Sequence, residues 1–263
     1  MSTGTIRVGI GGWTYEPWRG AFYPDKWPQK RELEYASRHV TAIEINGTFY
    51  SRFKPASFAQ WRDTVPEGFV FTLKASRYAT NRKVLAEAGE SIQRFVEQGI
   101  VELGDKLGPI LWQFAATKRF DPADFGAFLK LLPAKQDGVG LRHAVHVRHE
   151  SFAVPEFVAL CRAAGVAIVY AQSATYPPLA DVTADFVYAP LETAVEDEAA
   201  GYSAAELDRW AVAAGTWAAG GLPDGLPYLD TPPPRQPRET FVFFISGAKV
   251  RNPAAAEALI GRL

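Results

Sequence analysis

Residues 42–46 read AIEIN, with Ile43 and Ile45 on one side of an extended run and Ala42, Glu44 and Asn46 on the other. Successive side chains of a strand point to opposite faces, so this pattern predicts a strand with one apolar and one polar face. The alternation recurs along the chain. It predicts strands at 6–12 (IRVGIGG), 69–74 (FVFTLK), 108–114 (GPILWQF), 143–149 (HAVHVRH), 185–191 (DFVYAPL) and 240–246 (TFVFFIS). Residues 166–171 (VAIVYA) are apolar on both sides and read as a deeply buried strand. Helical periodicity lies between them, at 31–39, 90–103, 155–164, 204–219 and 252–263, with a weaker turn at 58–64. A further helix starts at Asp121, whose carboxylate suits an N-terminus, with Pro122 in its first turn.

About eight strands alternating with helices predict a parallel α/β architecture, most economically one TIM-type (β/α) barrel over residues 1–263 with some irregularity. A doubly wound open sheet is the alternative. Two segments break the rhythm. Residues 13–28 (WTYEPWRGAFYPDKWP) are too aromatic for an ordinary solvated link, and read either as a cap on the core or as rings that stack on a ligand. Residues 221–239 are dense in proline and precede a strand. In a barrel that puts them at the face opposite the strand C-termini, as a rigid surface excursion or a PxxP partner motif.

Composition narrows the reading. In 263 residues, 48% hydrophobic and 13% aromatic content supplies a sizeable core. A formal net charge of −1 argues against a chain that coats nucleic acid. The single cysteine, Cys161, sits in an apolar run and reads as a buried structural thiol. No apolar run approaches the ~20 residues of a membrane span, and the N-terminus lacks a signal-peptide pattern, so a cytoplasmic protein with no membrane partner is expected. The first strand ends in glycines but no G-x-G-x-x-G spacing follows, and no P-loop or nucleophile elbow is present. No cofactor is expected.

The segments GGWTYEPWRGAFYP, AIEINGTFY, Trp61 with PEGFVFTLKASR, LGPILWQF and VRHESF, in that order and spacing, closely resemble the YecE-like family, the conserved domain of unknown function 72. The resemblance implies a TIM-type barrel with a pocket at the strand C-termini and carries no established activity. Trp13, Tyr15, Trp18, Asn46, Thr48, Phe49, Tyr50, Lys74, Gln113, Arg148 and His149 match the family pattern. The chain departs from it at His146, where the family has glutamate, at Ala171-Gln172, at Ala189-Pro190-Leu191-Glu192 and at Ile245-Ser246. These departures mark a divergent member.

Alternation by itself sends Glu44, Asn46, Lys74, Gln113, His146 and Arg148 toward the barrel axis. Barrel sites are assembled at the strand C-terminal ends, so Asn46, Lys74, Gln113 and Arg148 are best placed to touch a ligand. Glu44 lies deeper and is expected to neutralise Lys74 or Arg148. With Glu192 only a loose second carboxylate, paired-acid hydrolysis is poorly supported. Glu44, His146 and His149 are the available metal ligands, and no catalytic metal is expected. Lys74, Arg77, Arg148, His149 and Lys249 all fall at or just past strand ends, which suits an anion. The expected ligand is a phosphorylated or carboxylated small molecule, with Trp13, Tyr15, Phe49 and Tyr50 stacking on its apolar part and Thr48 beside them. A single-stranded nucleic-acid end and a non-catalytic scaffold or ligand-sensing role are the alternatives.

Overall fold

A computed structural model describes residues 3–263. Eight parallel strands form the barrel: β1 (Ile6–Gly11), β2 (Ala42–Ile45), β3 (Val70–Lys74), β4 (Leu107–Gln113), β5 (His143–His146), β6 (Ala167–Ile168), β7 (Phe186–Leu191) and β8 (Glu239–Phe244). Neighbours run β6-β5-β4-β3-β2-β1-β8-β7, with every ladder parallel. The last seam is incomplete. Between β6 and β7 there are only the single bridges Val169–Tyr188 and Gln172–Leu191. Pro190 explains part of this: its carbonyl accepts from Gln172 on that side, and the N–H that would point the same way is missing. The expected six-residue strand at 166–171 therefore pairs regularly at two residues only, although all six are buried.

The barrel interior follows the alternation. Ala42, Val70, Leu111, Ala144, Ala167, Val169, Phe186, Tyr188, Phe241 and Phe243 form one buried cluster along the axis. Gly9 is small for a reason: a Cβ there would lie 2.2 Å from the Ala42 carbonyl oxygen and 2.7 Å from the Phe243 ring. The outward faces (Val8, Ile10, Ile43, Phe71, Leu73, Trp112, Val145, Phe244) pack under the helices in the main core. Below the cluster, Glu239 bridges Arg7 and Arg142, the latter at 2.5 Å. Above it, Tyr188 donates to Glu44 at 2.5 Å and lies 2.9 Å from the Thr72 hydroxyl.

Around the barrel run α1 (Glu32–Ala36), α2 (Gly47–Tyr50), α3 (Pro55–Thr64), α4 (Arg77–Thr80), α5 (Gly89–Val96), α6 (Pro122–Leu131), α7 (Pro155–Ala164), α8 (Ala204–Ala218) and α9 (Asn252–Ile260). As expected, Asp121 caps α6, accepting from the Ala123 and Asp124 amides at 3.0 Å each. Three expectations change. The weak turn at 58–64 is part of the ten-residue α3, which starts on Pro55. The expected helix at 90–103 stops at Val96, because Gly99 takes φ +105°, and a 3-10 segment Ile100–Lys106 follows. The helix expected at 31–39 contracts to α1 behind a 3-10 turn.

Candidate functional site

At the C-terminal ends of β1, β2, β3 and β8 the barrel opens into a cavity of about 630 Å³. Trp13, Phe53 and Trp61 form its aromatic wall, with the Trp13 and Trp61 rings edge-on at 5.4 Å and the Phe53 and Trp61 rings at 5.1 Å. Tyr50, Asn46, Lys74, Ser246, Lys249 and Asn252 add polar atoms. Its position agrees with the general rule that barrel sites gather where the strands end.

The aromatic segment 13–28 divides between its two readings. Trp18 and Tyr23 are core residues, fully buried. Trp18 Nε1 donates to the Lys249 carbonyl at 2.9 Å, and Tyr23 Oη donates to the Trp13 carbonyl at 2.5 Å. The first bond ties the segment to the loop that carries Lys249, and the second fixes the backbone of Trp13 beside the cavity. Tyr15 packs edge-on against Trp18 at 5.3 Å, and the Lys249 ammonium lies 4.3 Å from the centre of the Tyr15 ring. Behind β8, Ser246 and Gly247 are both left-handed (φ +67° and +56°), which turns the chain back toward the mouth and delivers Lys249. A Cβ on Gly247 would lie 2.6 Å from the Ala194 carbonyl oxygen, so glycine is required there.

The other sequence candidates fall into three groups. Lys74, Arg148 and His146 share one electrostatic environment. Burial lowers the Lys74 pKa, with Glu44 and Glu192 opposing and Arg148 adding to the fall. Burial, then Arg148, then Lys74 push the His146 pKa well below the ordinary histidine value, so this ring is neutral at pH 7. Among the described residues neither Lys74 nor Arg148 has a carboxylate within 4.0 Å, and the buried Arg148 Nε and His146 Nε2 have no hydrogen-bond partner. Gln113, half-buried, is in register with His146. Thr48, Phe49 and His149 belong to the frame. The buried Thr48 hydroxyl ties β2 to β3 through the Ile45 and Lys74 carbonyls, at 3.0 and 2.7 Å. The Phe49 ring lies 5.2 Å from the Lys74 ammonium, and His149 Nδ1 accepts from the Ser151 amide at 3.1 Å. Arg77 leaves the mouth altogether: it is exposed on α4, with Tyr50 and Tyr78 on either side.

Glu44 is not paired as expected. Its direct bond goes to Tyr188, and it acts on Lys74 only across space. Sequence reasoning missed Ser173 and Tyr176. The Arg148 guanidinium lies 4.4 Å from the Tyr176 ring centre, with the His146 ring edge-on to the same tyrosine at 6.1 Å. Glu192, past β7, has its pKa raised by burial, against the pull of Arg148 and the Ser173 hydroxyl. The signal for Tyr176 was its place in the loop that follows the sixth strand, where barrel sites draw residues. Among the described residues no group of three or more His, Cys, Asp and Glu side chains is disposed to hold a metal ion, and no helix is long and apolar enough to cross a membrane.

The family described as "Protein of unknown function DUF72" matches residues 7–263. Among solved structures, a DUF72 family protein from Thermotoga maritima is similar over 97% of both chains, with 22% identity and a TM-score of 0.71. A DUF72 family protein from Enterococcus faecalis is similar over 99% of this chain and 98% of its own, with 17% identity and a TM-score of 0.69. D-psicose 3-epimerase, crystallised in the presence of D-fructose, is similar over 97% of this chain and 95% of its own, with 12% identity and a TM-score of 0.50. At these identities the likeness is one of fold. No curated protein matches the chain significantly.

Proposed function

The chain belongs to the DUF72 family of proteins of unknown function, and from that premise we propose that its barrel mouth binds a small phosphorylated or carboxylated molecule. One observation carries this reading: Lys74 lines the cavity, Arg148 just past β5 acts on it across space, and among the described residues neither has an ion-pair partner, although Arg7 and Arg142 in the same barrel share Glu239. Partly buried charge without a partner is costly. An arriving anion would supply the missing partner to both. Arg148 offers a planar fork of N–H donors, its guanidinium over the Tyr176 ring, and Lys74 a point charge. Neutral His146 adds no third charge and leaves a ring nitrogen for hydrogen bonding. Trp13, Phe53 and Trp61 would flank the apolar part of the ligand.

Thermal-shift and calorimetric titration with phosphate, sulfate and sugar phosphates tests this. Arg148→Lys keeps the charge but loses the fork, and should weaken anion binding by about 1–3 kcal/mol. Its folding stability should hold or rise, since the Arg148 Nε removed has no partner among the described residues. Lys74→Met should weaken binding too, and the double variant should fall short of the sum because both groups serve one anion. Equal affinity in the native chain and both single variants would remove the site.

A further inference from the structure

Beside the mouth, and sharing Tyr50 with it, lies a second cavity of about 320 Å³. Its charged lining is three arginines, Arg52, Arg82 and Arg94, against one glutamate, Glu90. Glu90 binds Arg94, with Nη2 at 2.5 Å, which among the described residues leaves two arginines without a carboxylate partner. Arg82 is held in place rather than neutralised: Nε donates to the Tyr78 carbonyl at 2.9 Å and Nη2 to the Ser91 hydroxyl at 2.8 Å. A guanidinium has five N–H groups, so three of those on Arg82 remain. Tyr50 and Tyr78 both line this cavity and are each 63% exposed, an unusual exposure for large rings. The Arg77 guanidinium lies over both rings, 5.9 Å from the centre of one and 5.5 Å from the other, and both stay exposed.

We infer that this cavity is a second ligand site, which takes the phosphate of a phosphorylated planar-ring compound on Arg52 and Arg82 and stacks its ring on Tyr78 or Tyr50. The inference does not depend on the reading of the mouth. Arginine is suited to phosphate because its donors match two oxygens at once. An exposed tyrosine face contributes stacking that an aliphatic ligand cannot use.

The probe is adenosine 5′-monophosphate, titrated calorimetrically into the full chain. Arg52 and Tyr78 are exposed, so their substitution leaves the core intact. Arg52→Glu and Tyr78→Ala should each weaken binding about tenfold, as loss of a charged contact or a stacking face does. Tyr78→Phe should retain it, and inorganic phosphate should bind more weakly than the nucleotide. In a Lys74→Met/Arg148→Met chain the nucleotide should still bind, which separates this site from the mouth. Loss of nucleotide binding in that mouth variant, or no effect of Arg52→Glu and Tyr78→Ala, would overturn the assignment. So would a native chain that ignores the nucleotide. Much tighter binding of a 5′-phosphorylated single-stranded oligonucleotide, falling steeply with salt, would replace the small ligand with nucleic acid.

Discussion

Lys74 holds its proton less firmly than a free lysine does. Burial is the main force that lowers its pKa from 10.5; Glu44 opposes it, Arg148 adds to it and Glu192 opposes it again. The sign of the consequence follows from proton counting. Between the lowered folded value and the unfolded value, the unfolded chain binds more protons, so the contribution of Lys74 to stability rises with pH in that window. Affinity for an anion must move the other way, because deprotonation removes the point charge. Sulfate keeps its double charge throughout and is the suitable probe. Its affinity should fall in the native chain as pH rises through the lowered Lys74 value, before free lysine titrates. In Lys74→Arg, whose guanidinium does not titrate there, it should stay level. A native profile that is flat to pH 10 would mean that Lys74 does not meet the anion.

Helix α8 shows how local chemistry fixes an element independently of the site. Ser203 accepts from the Glu206 amide at 3.3 Å while the Glu206 carboxylate accepts from the Ser203 amide at 3.0 Å, a reciprocal cap on two otherwise unpaired donors. Ser203→Ala should cost about 1 kcal/mol, or about 2–4 °C in Tm, with sulfate affinity unchanged. A loss of affinity would show that α8 communicates with the mouth. The proline-dense stretch ahead of β8 is fixed by different means. The Asp181 carboxylate accepts from the Leu229 and Asp230 amides, Arg162 pairs with Asp230, and Arg238 donates to the Gly220 and Pro234 carbonyls at 3.0 and 2.9 Å. These ties make it a fastened excursion on the side from which β8 starts, away from the cavity.

Across the whole barrel, Glu239 joins chain segments that no helix connects. Its carboxylate bridges Arg7 on β1 and Arg142 just before β5, on opposite sides of the axis. Burial alone would raise its pKa, but the hydrogen bonds from Arg7 and Arg142 outweigh burial and leave it below the usual carboxylate value. A depressed carboxylate pKa means that the stabilisation is complete above the unfolded value near 4.5 and is lost as pH falls through the folded value. Glu239→Gln should therefore destabilise the chain at pH 7 by roughly 2–3 kcal/mol, less than the 3–5 of a fully buried pair because these groups are partly exposed. The penalty should shrink toward pH 3. Denaturant melts at both pH values measure it, and an equal penalty at each would assign the effect to packing.

The strands and their inward faces were legible because side-chain alternation is a local property. Glu44, Lys74, Gln113 and His146 could be assigned to one side by counting in twos, whereas Asn46 and Arg148 lie past the ends of β2 and β5, and the cap at Asp121 needed only its next three residues. The divided fate of residues 13–28 could not be read the same way, since Trp13 and Trp18 are chemically alike and differ only in what the closed barrel brings against them. Nor could the partners of charge. Glu44 meets Tyr188 across 144 residues and Arg7 meets Glu239 across 232. The helix expected at 90–103 failed for a third reason: apolar spacing continued past Gly99 while the backbone turned left-handed to pass Pro55, where even a Cβ would come within 2.7 Å. Sequence by itself thus determined the faces of the strands and the cations offered at their ends. Only the tertiary structure decided that, among the described residues, Lys74 and Arg148 lack carboxylate partners while Arg7 and Arg142 share one, because pairing depends on which strands closure sets across the axis, and hydrogen bonds between distant segments leave no period in the chain.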